Sequence, residues 1–324
     1  MVQPLPTQSP PPPRPAGAAA GAARRRSANW GWALVLPALA FMTLFTYLPA
    51  LLVAAMSLFQ WNLAGFGASP WVGLHHYAEL LNPISGFLQS LTVTAYYAGV
   101  TVPLSIALGL GLAWLLKSRG PKVTWWETFT RAAVFLPYIT PAIATSIIWV
   151  FIFNPQFGLA NTVLAALHLP ALGWLTSTTW ALPAVIINNL WHNVGFMVIL
   201  FLAALSNVPR DVVEAAWMDG ANGAQTFWHI IRPHLSPVML LAVILGTIQA
   251  MQTFASIYQM TGGQFGGGGG PLQSTTTTAI YLYKSAFVYF HYGYGAAVGV
   301  VLFVIMLAVT LLQKQIGERR TFYR

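Results

Sequence analysis

Six windows of predominantly apolar residues, near 32–57, 88–116, 131–153, 180–206, 236–258 and 294–315, take up much of this 324-residue chain, and none holds an Asp or a Glu. A membrane-crossing helix needs about 20 such residues. Charged residues make up only 6% of the chain, against about 25% in ordinary soluble domains. So few charges do not cover a soluble surface, so most of the chain must face lipid or other helices. The sequence therefore predicts an all-α integral membrane protein with six transmembrane helices. Pro37, Pro49, Pro103, Pro137, Pro141 and Pro183 fall in these windows and mark expected kinks.

Residues 1–29 are rich in Pro, Ala and Arg, lack apolar periodicity, and read as a disordered cytoplasmic tail. Residues 30–87 read as the first span and an outer loop. Residues 88–315 read as a five-helix core containing a long inner loop at about 207–235, and 316–324 as a second tail. The run after Arg24, Arg25 and Arg26 outlasts the apolar core of a signal peptide, so a retained first span is expected. With the amino terminus inside, Arg14, Arg24, Arg25, Arg26, Lys117, Arg119, Lys122, Arg131, Arg210, Arg232, Lys314, Arg319, Arg320 and Arg324 all fall on the cytoplasmic side, and Lys284 alone falls outside. That bias sets the orientation, with both termini cytoplasmic. The net charge of +9 is thereby spread over short membrane-flanking loops. It forms no groove for nucleic acid, and its expected contacts are with membrane lipid.

The positions of the acids count against several functions. Glu79, Glu127, Asp211, Glu214, Asp219 and Glu318 all lie outside the windows. A carrier driven by protons or sodium usually places a carboxylate within the membrane. A hydrolase needs paired carboxylates, a nucleophile beside a base, or a metal cluster. The seven histidines are scattered, cysteine is absent, and neither HExxH nor a GxxxxGK[ST] phosphate loop occurs. No catalytic residue, metal ligand or cofactor is expected in this chain, and its energy source is expected to lie outside it.

Half of the acids concentrate in "PRDVVEAAWMDGANG" or its first turn. Pro209 suits a first helical turn, Ser206 or Asn207 offers a cap, and Asp211 complements the positive helix end. A helix from about Pro209 to Asp219 is expected, stopped at Gly220, with Val212, Val213, Ala216 and Trp217 on an apolar face. A second short helix, "AQTFWHII", should lead to Pro233, Pro237 and the fifth span. About eleven residues are too few for a free helix in water, so something must pack against the first one. From amphipathicity alone, that partner is either this chain's own helix ends or another protein.

The order of residues Glu214, Ala215, Ala216, Asp219, Gly220, Ala221, then Phe227, Ile230, Pro233 and Pro237, resembles the EAA loop of binding-protein-dependent ABC importer permeases. Arg232 departs from the leucine common before the proline. The stretches "RAAVFLPYITPAIATSIIWVFIFNPQFGLANTVL", "LWHNVGFMVILFLAALSNVPRDVVEAAWMDGA" and "YQMTGGQFGGGGGPLQSTTTTAIYLYKSAFVYFHYGYGAAVGVVLFVI" resemble the sugar-permease branch, that of the maltose and glycerol-3-phosphate permeases. Likeness extends over residues 30–315.

The resemblance implies the type I importer permease fold, with residues 214–221 as a cytoplasmic coupling helix docked on an ATPase. It also implies a second permease subunit, two ATPase subunits that bind ATP and magnesium, an extracytoplasmic substrate-binding protein, and residence in the bacterial cytoplasmic membrane. The expected solute is a carbohydrate or related polyol, phosphorylated or not. Candidate pathway residues are Asn188, Asn189, Trp191, His192 and Asn193 on the fourth span, and Gln249, Gln252, Thr253 and Tyr258 on the fifth. Amides beside aromatic faces suit hydroxyl-rich solutes, and amides equally bond helix to helix. An amino-acid or peptide permease and a membrane-embedded enzyme are the alternatives.

Overall fold

The computed structural model describes residues 34–61, 66–117, 124–262 and 267–318. The expected tail at 1–29, all but the first three residues of the tail at 316–324, and Arg119 and Lys122 lie outside these residues.

The first helix, Leu34–Met56 (α1), is described by itself. It has 23 residues with mean hydropathy 2.0, and its most apolar stretch contains no buried residue, as expected of a helix surrounded by lipid. Within it Thr43–Tyr47 widen into a π-turn. Pro49 lacks an N–H and its ring crowds the carbonyl four residues back, at Phe45, so the backbone opens there.

The rest of the chain runs through His75–Leu80 (α2), Phe87–Leu116 (α3), Trp125–Ile139 (α4), Ala142–Ile152 (α5), Leu159–Ala166 (α6), Ala181–Ser206 (α7), Arg210–Met218 (α8), Gly223–Met251 (α9), Ala255–Met260 (α10), Thr278–Tyr283 (α11) and Tyr292–Glu318 (α12). Among the described residues, the one isolated β-bridge joins Phe59 and Trp71. Helices α1, α3, α7, α9 and α12 are each long and apolar enough to cross a membrane.

Two windows differ from expectation. The third, 131–153, is not one straight span: α4 and α5 meet at 96°. Pro141 forces Thr140 into an extended conformation, ψ 144°, because the proline ring excludes the helical region for the residue before it. The window counts as a sixth span only if this bent pair is taken together. The fifth window, 236–258, is shifted toward the amino terminus. The expected short helix and the span are one helix, α9, continuous from Gly223 through a π-turn at Phe227–Ile231. Pro233 closely follows the π-turn, and the Pro233 carbonyl that Pro237 has no N–H to bond accepts instead from Ser236 Oγ at 2.7 Å. The same helix ends early, at Met251.

Helix α7 is the central post: α3 and α4 pack along it, α9 lies against α3, and α12 lies against α9. Lipid is as apolar as these side chains, so close packing supplies the attraction. Glycine makes that possible. A Cβ at Gly195 would collide with the Val134 carbonyl of α4, and one at Gly109 would collide with Met197. Tyr97, Phe153, Val185, Ile257 and Ile280 fill the core beside the first half of α7. Met197, Phe201, Leu205, Ile231 and Leu235 fill it beside the second half. Several buried hydroxyls are bonded locally or across helices. Thr101 donates to the Tyr97 carbonyl at 2.7 Å, and Thr94 Oγ1 accepts from the Thr278 N–H at 2.8 Å, tying α3 to α11.

Candidate functional site

The acidic loop is built between the end of α7 and the start of α9. Val208 is buried against Leu205, Ile231 and Leu235, which anchors the turn. Pro209 occupies the N-cap of α8 and no side chain caps it, so neither Ser206 nor Asn207 takes the expected capping role. Asp211 is in the first turn, as expected. The helix is closed at Gly220, φ +81°. The Gly220 N–H donates to the Trp217 carbonyl at 3.1 Å and the Ala221 N–H to the Ala216 carbonyl at 2.9 Å. This is a Schellman motif, which requires a left-handed residue at Gly220.

The expected apolar face of α8 divides in two. Val213 packs on the chain's own core and Ala216 is half-buried. Val212 turns outward, and Trp217 and Met218 are 59% and 88% exposed. No residue of α8 is fully buried. Glu214, Ala215 and Asp219 are exposed, and among the described residues neither acid forms an ion pair. The chain then turns into a capping box, in which Asn222 and Gln225 exchange two bonds of 2.9 Å. Asp219, Gly220, Ala221, Gln225, His229 and Ile230 line an open depression of about 370 Å³ together with Thr226. Ile230 and Pro233 are half-buried on α9. Arg232 stacks over the Trp228 ring at 5.1 Å.

The structure joins some of the expected pathway residues and separates others. Asn188 is 2% exposed and its Nδ2 lacks a partner. One turn on, His192 has an enclosed Nδ1 that also lacks a partner, with the Tyr138 ring 6.2 Å away. Asn193 Nδ2 donates to the Asn189 carbonyl at 3.1 Å within the same helix. Trp191 meets Trp149 edge-on at 5.8 Å. Gln249 lies on α9, but Gln252 and Thr253 lie in the break after it, and Tyr258 is on α10. These last three are therefore not on the fifth span. Thr253 Oγ1 donates to the Gln249 carbonyl at 2.8 Å, and its own carbonyl accepts from Thr277 Oγ1 at 3.1 Å. Tyr97 of α3, which the sequence did not single out, lies alongside Thr253 and Asn189, although its hydroxyl closes no well-formed bond. It brings the two amide-bearing segments to one place.

Two further residues escaped sequence reasoning. Lys284, which charge counting placed in an outer loop, is buried. Its Nζ donates to the Gly268 carbonyl at 3.1 Å and to Gln273 Oε1 at 3.0 Å. Burial pushes its ammonium below the usual lysine range. The glycines opposite it, Gly268, Gly269 and Gly270, all have positive φ, and a Cβ at Gly268 would collide with the Tyr258 ring. Asn161 is the second. Its amide bridges Pro155, Leu172 and Trp174 across the 154–174 loop. A lysine interrupting an aromatic run, and an asparagine opening an apolar helix, were the available signals. Among the described residues no group of His, Cys, Asp and Glu is arranged to hold a metal ion.

Residues 105–322 match the family described as binding-protein-dependent transport system inner membrane component. The chain is 34% identical over 295 residues to the trehalose/maltose transport system permease protein MalF of Thermococcus litoralis, covering 90% of this chain and 95% of that one. It is 31% identical over 294 residues to the sn-glycerol-3-phosphate transport system permease protein UgpA of Agrobacterium fabrum, covering 90% and 95%. Its fold matches, with TM-score 0.77 and 21% identity over 91% of this chain and 98% of the other, a chain in the crystal structure of a bacterial ABC transporter involved in the import of the acidic polysaccharide alginate. With a family match over most of its length, on a helical membrane fold, this chain belongs to the binding-protein-dependent transport system inner membrane components and is a transporter permease subunit rather than an enzyme.

Proposed function

We propose that this permease forms half of the translocation pathway of an ATP-driven importer for a carbohydrate or related polyol. The solute arrives from an extracytoplasmic binding protein. A second permease supplies the other half, and two ATPase subunits bind ATP and magnesium. The protein lies in the bacterial cytoplasmic membrane with both termini inside. The observation that carries this reading is α8, a short helix with no buried residue and outward-facing Trp217 and Met218. Such a helix gains little from its own chain and calls for a docked partner.

On this reading α8 seats in a cleft of the ATPase. Small Ala215 and Ala216 allow close approach, and Glu214 and Asp219 accept charge-assisted bonds from basic groups. Gly220, Ala221 and the Ile230–Pro233 turn fix the angle at which α8 meets α9. When nucleotide closes the ATPase pair, α8 moves as a rigid lever and carries α7 and α9 with it. Asn188, Asn189, Trp191, His192, Asn193, Gln249, Gln252, Thr253 and Tyr258 are the proposed solute-facing set. The unpartnered Asn188 amide and the aromatic faces nearby suit hydroxyl groups. Relatives named for trehalose, maltose and glycerol phosphate support the solute class.

The test is purification from native membranes followed by transport in proteoliposomes. An ATPase and a second permease should copurify. ATP-dependent uptake should favour sugars or polyols over amino acids and peptides. A chain that purifies alone, or a complex that imports only amino acids, would sink the proposal.

A further inference from the structure

We propose that Lys117, Arg131 and Arg210 form a site for the phosphate headgroup of an anionic phospholipid of the inner leaflet, seated against Trp114. The proposal rests on the orientation given above, which puts these residues on the cytoplasmic side.

The three cations come from three elements. Lys117 caps the end of α3, Arg131 lies on α4, and Arg210 is the first residue of α8. Arg131 Nη2 donates to the Leu116 carbonyl at 3.1 Å, so its guanidinium lies beside the backbone at Lys117. Its Nε is enclosed and has no partner. The Lys117 ammonium sits 5.8 Å from the Trp114 ring. Burial, and then the like charge of Arg210, pull its pKa below the usual lysine range.

No carboxylate makes an ion pair with them among the described residues, although Asp211 and Glu214 follow Arg210 on α8. Among the described residues the ion pairs are His76–Glu79 and Lys314–Glu318. Glu127, one turn before Arg131, is held in the capping box by the Thr124 N–H at 2.9 Å. Lys117 and Arg131 lie side by side at the end of α3, and the charge of Arg210 is felt there, an arrangement that suits an oxyanion carrying several acceptors.

The surroundings favour lipid over a soluble anion. Trp114 and Leu115, in the last turn of an apolar span, are 39% and 72% exposed. Trp125 and Trp126, at the start of α4, are 75% and 59% exposed. Tryptophan and basic residues at span ends mark the headgroup level. The site also bears on coupling. Arg210 starts α8, and Trp114 meets Phe227 of α9 edge-on at 5.6 Å, so a headgroup here would touch the supports on both sides of the acidic loop.

The experiment uses the full transporter complex in nanodiscs of phosphatidylcholine with or without phosphatidylglycerol, and reads retained lipid by native mass spectrometry. Wild type should retain phosphatidylglycerol. Lys117→Gln and Arg210→Gln should each reduce retention about fivefold, the effect of one basic residue at an anionic surface. Lys314→Gln, at a different helix end, should not. Equal retention in all variants overturns the proposal. So does displacement of the lipid by inorganic phosphate at modest concentration, or detachment of the ATPase by Arg210→Gln with lipid retention unchanged. Sidedness labelling of a Met218→Cys variant tests the orientation separately. Labelling from the outer face would refute the topology whatever the lipid result.

Discussion

Gly220 ends α8, the proposed coupling helix, and replacing it tests whether backbone geometry or empty space matters there. Its φ is +81°, and a Cβ added to it would meet nothing within 4 Å. Gly220→Ala therefore brings no clash, only the cost of holding an L-residue in the left-handed region, about 1–2 kcal/mol. Helix α8 has nine residues and none fully buried. The cost should thus open the last turn locally rather than unfold the protein. It corresponds to about a five- to thirtyfold rise in the open population. Hydrogen exchange should show that rise at residues 220 and 221, whose N–H groups close the turn on Trp217 and Ala216. Amides in the middle of α7 should be unaffected. Reconstituted transport should fall while ATP hydrolysis becomes less dependent on solute. Asn tolerates this conformation better than Ala, so Gly220→Asn should recover most of both signals. If Asn and Ala behave alike, or if exchange at residue 221 does not change, the left-handed turn is not what Gly220 provides.

Asn161→Ala should lower the unfolding midpoint of the complex in detergent. It strands the Leu172 N–H and the Trp174 Nε1–H, now bonded at 3.1 and 2.9 Å, at about 2–4 kcal/mol; an unchanged midpoint would show the loop is held otherwise. Burial depresses the Lys284 ammonium, so the native state releases its proton at lower pH than the unfolded chain. Between those two values the unfolded state holds the extra proton, and stability rises with pH. Lys284→Met should flatten that alkaline rise in a melting series, and an unaltered slope would count against the assignment. The chain has no cysteine, so Met218→Cys, at an 88% exposed position, gives a single label. An impermeant maleimide should modify it only in inverted vesicles, and more slowly once the ATPase is bound.

The legible parts of this structure are those governed by local chemistry. The run of apolar windows, the helix before Gly220 and the turn that follows depend on hydropathy, glycine and capping residues within a few positions. The bend at Thr140–Pro141 was half legible. Proline marked the place, but the 96° angle comes from how α4 and α5 each find a neighbour, α4 on α7 and α5 on α10. Lys284 was placed only on the outer side, because counting charges says nothing of burial. Its burial depends on carbonyl and amide acceptors at Gly268 and Gln273, remote in sequence and supplied by a loop of positive-φ glycines. Pairing of that kind carries no periodic signal.

The break after Met251 shows the same limit at the proposed pathway. Hydropathy runs unbroken to Tyr258, so the sequence placed Gln249, Gln252, Thr253 and Tyr258 on one helix, where they would fan around its axis. The chain instead leaves the helix at Gln252, φ −94° and ψ 0°, and Phe254 is non-helical. That frees carbonyl groups at the end of α9, and the Thr253 carbonyl is taken by Thr277 Oγ1. A backbone break inside an apolar segment is tolerated only where protein or a water-filled cavity meets the freed groups. Such breaks in transporters present backbone polar groups near the midplane. Here the freed segment lies beside Tyr97 and Asn189, and on the preceding residue of α7 the Asn188 amide has an open donor. The polar character of this face thus comes from backbone as well as from amide side chains. Substituting the amides one at a time should therefore shift solute preference more than it abolishes transport, whereas closing the break by helix-favouring replacements at Gln252 and Thr253 should cost transport itself.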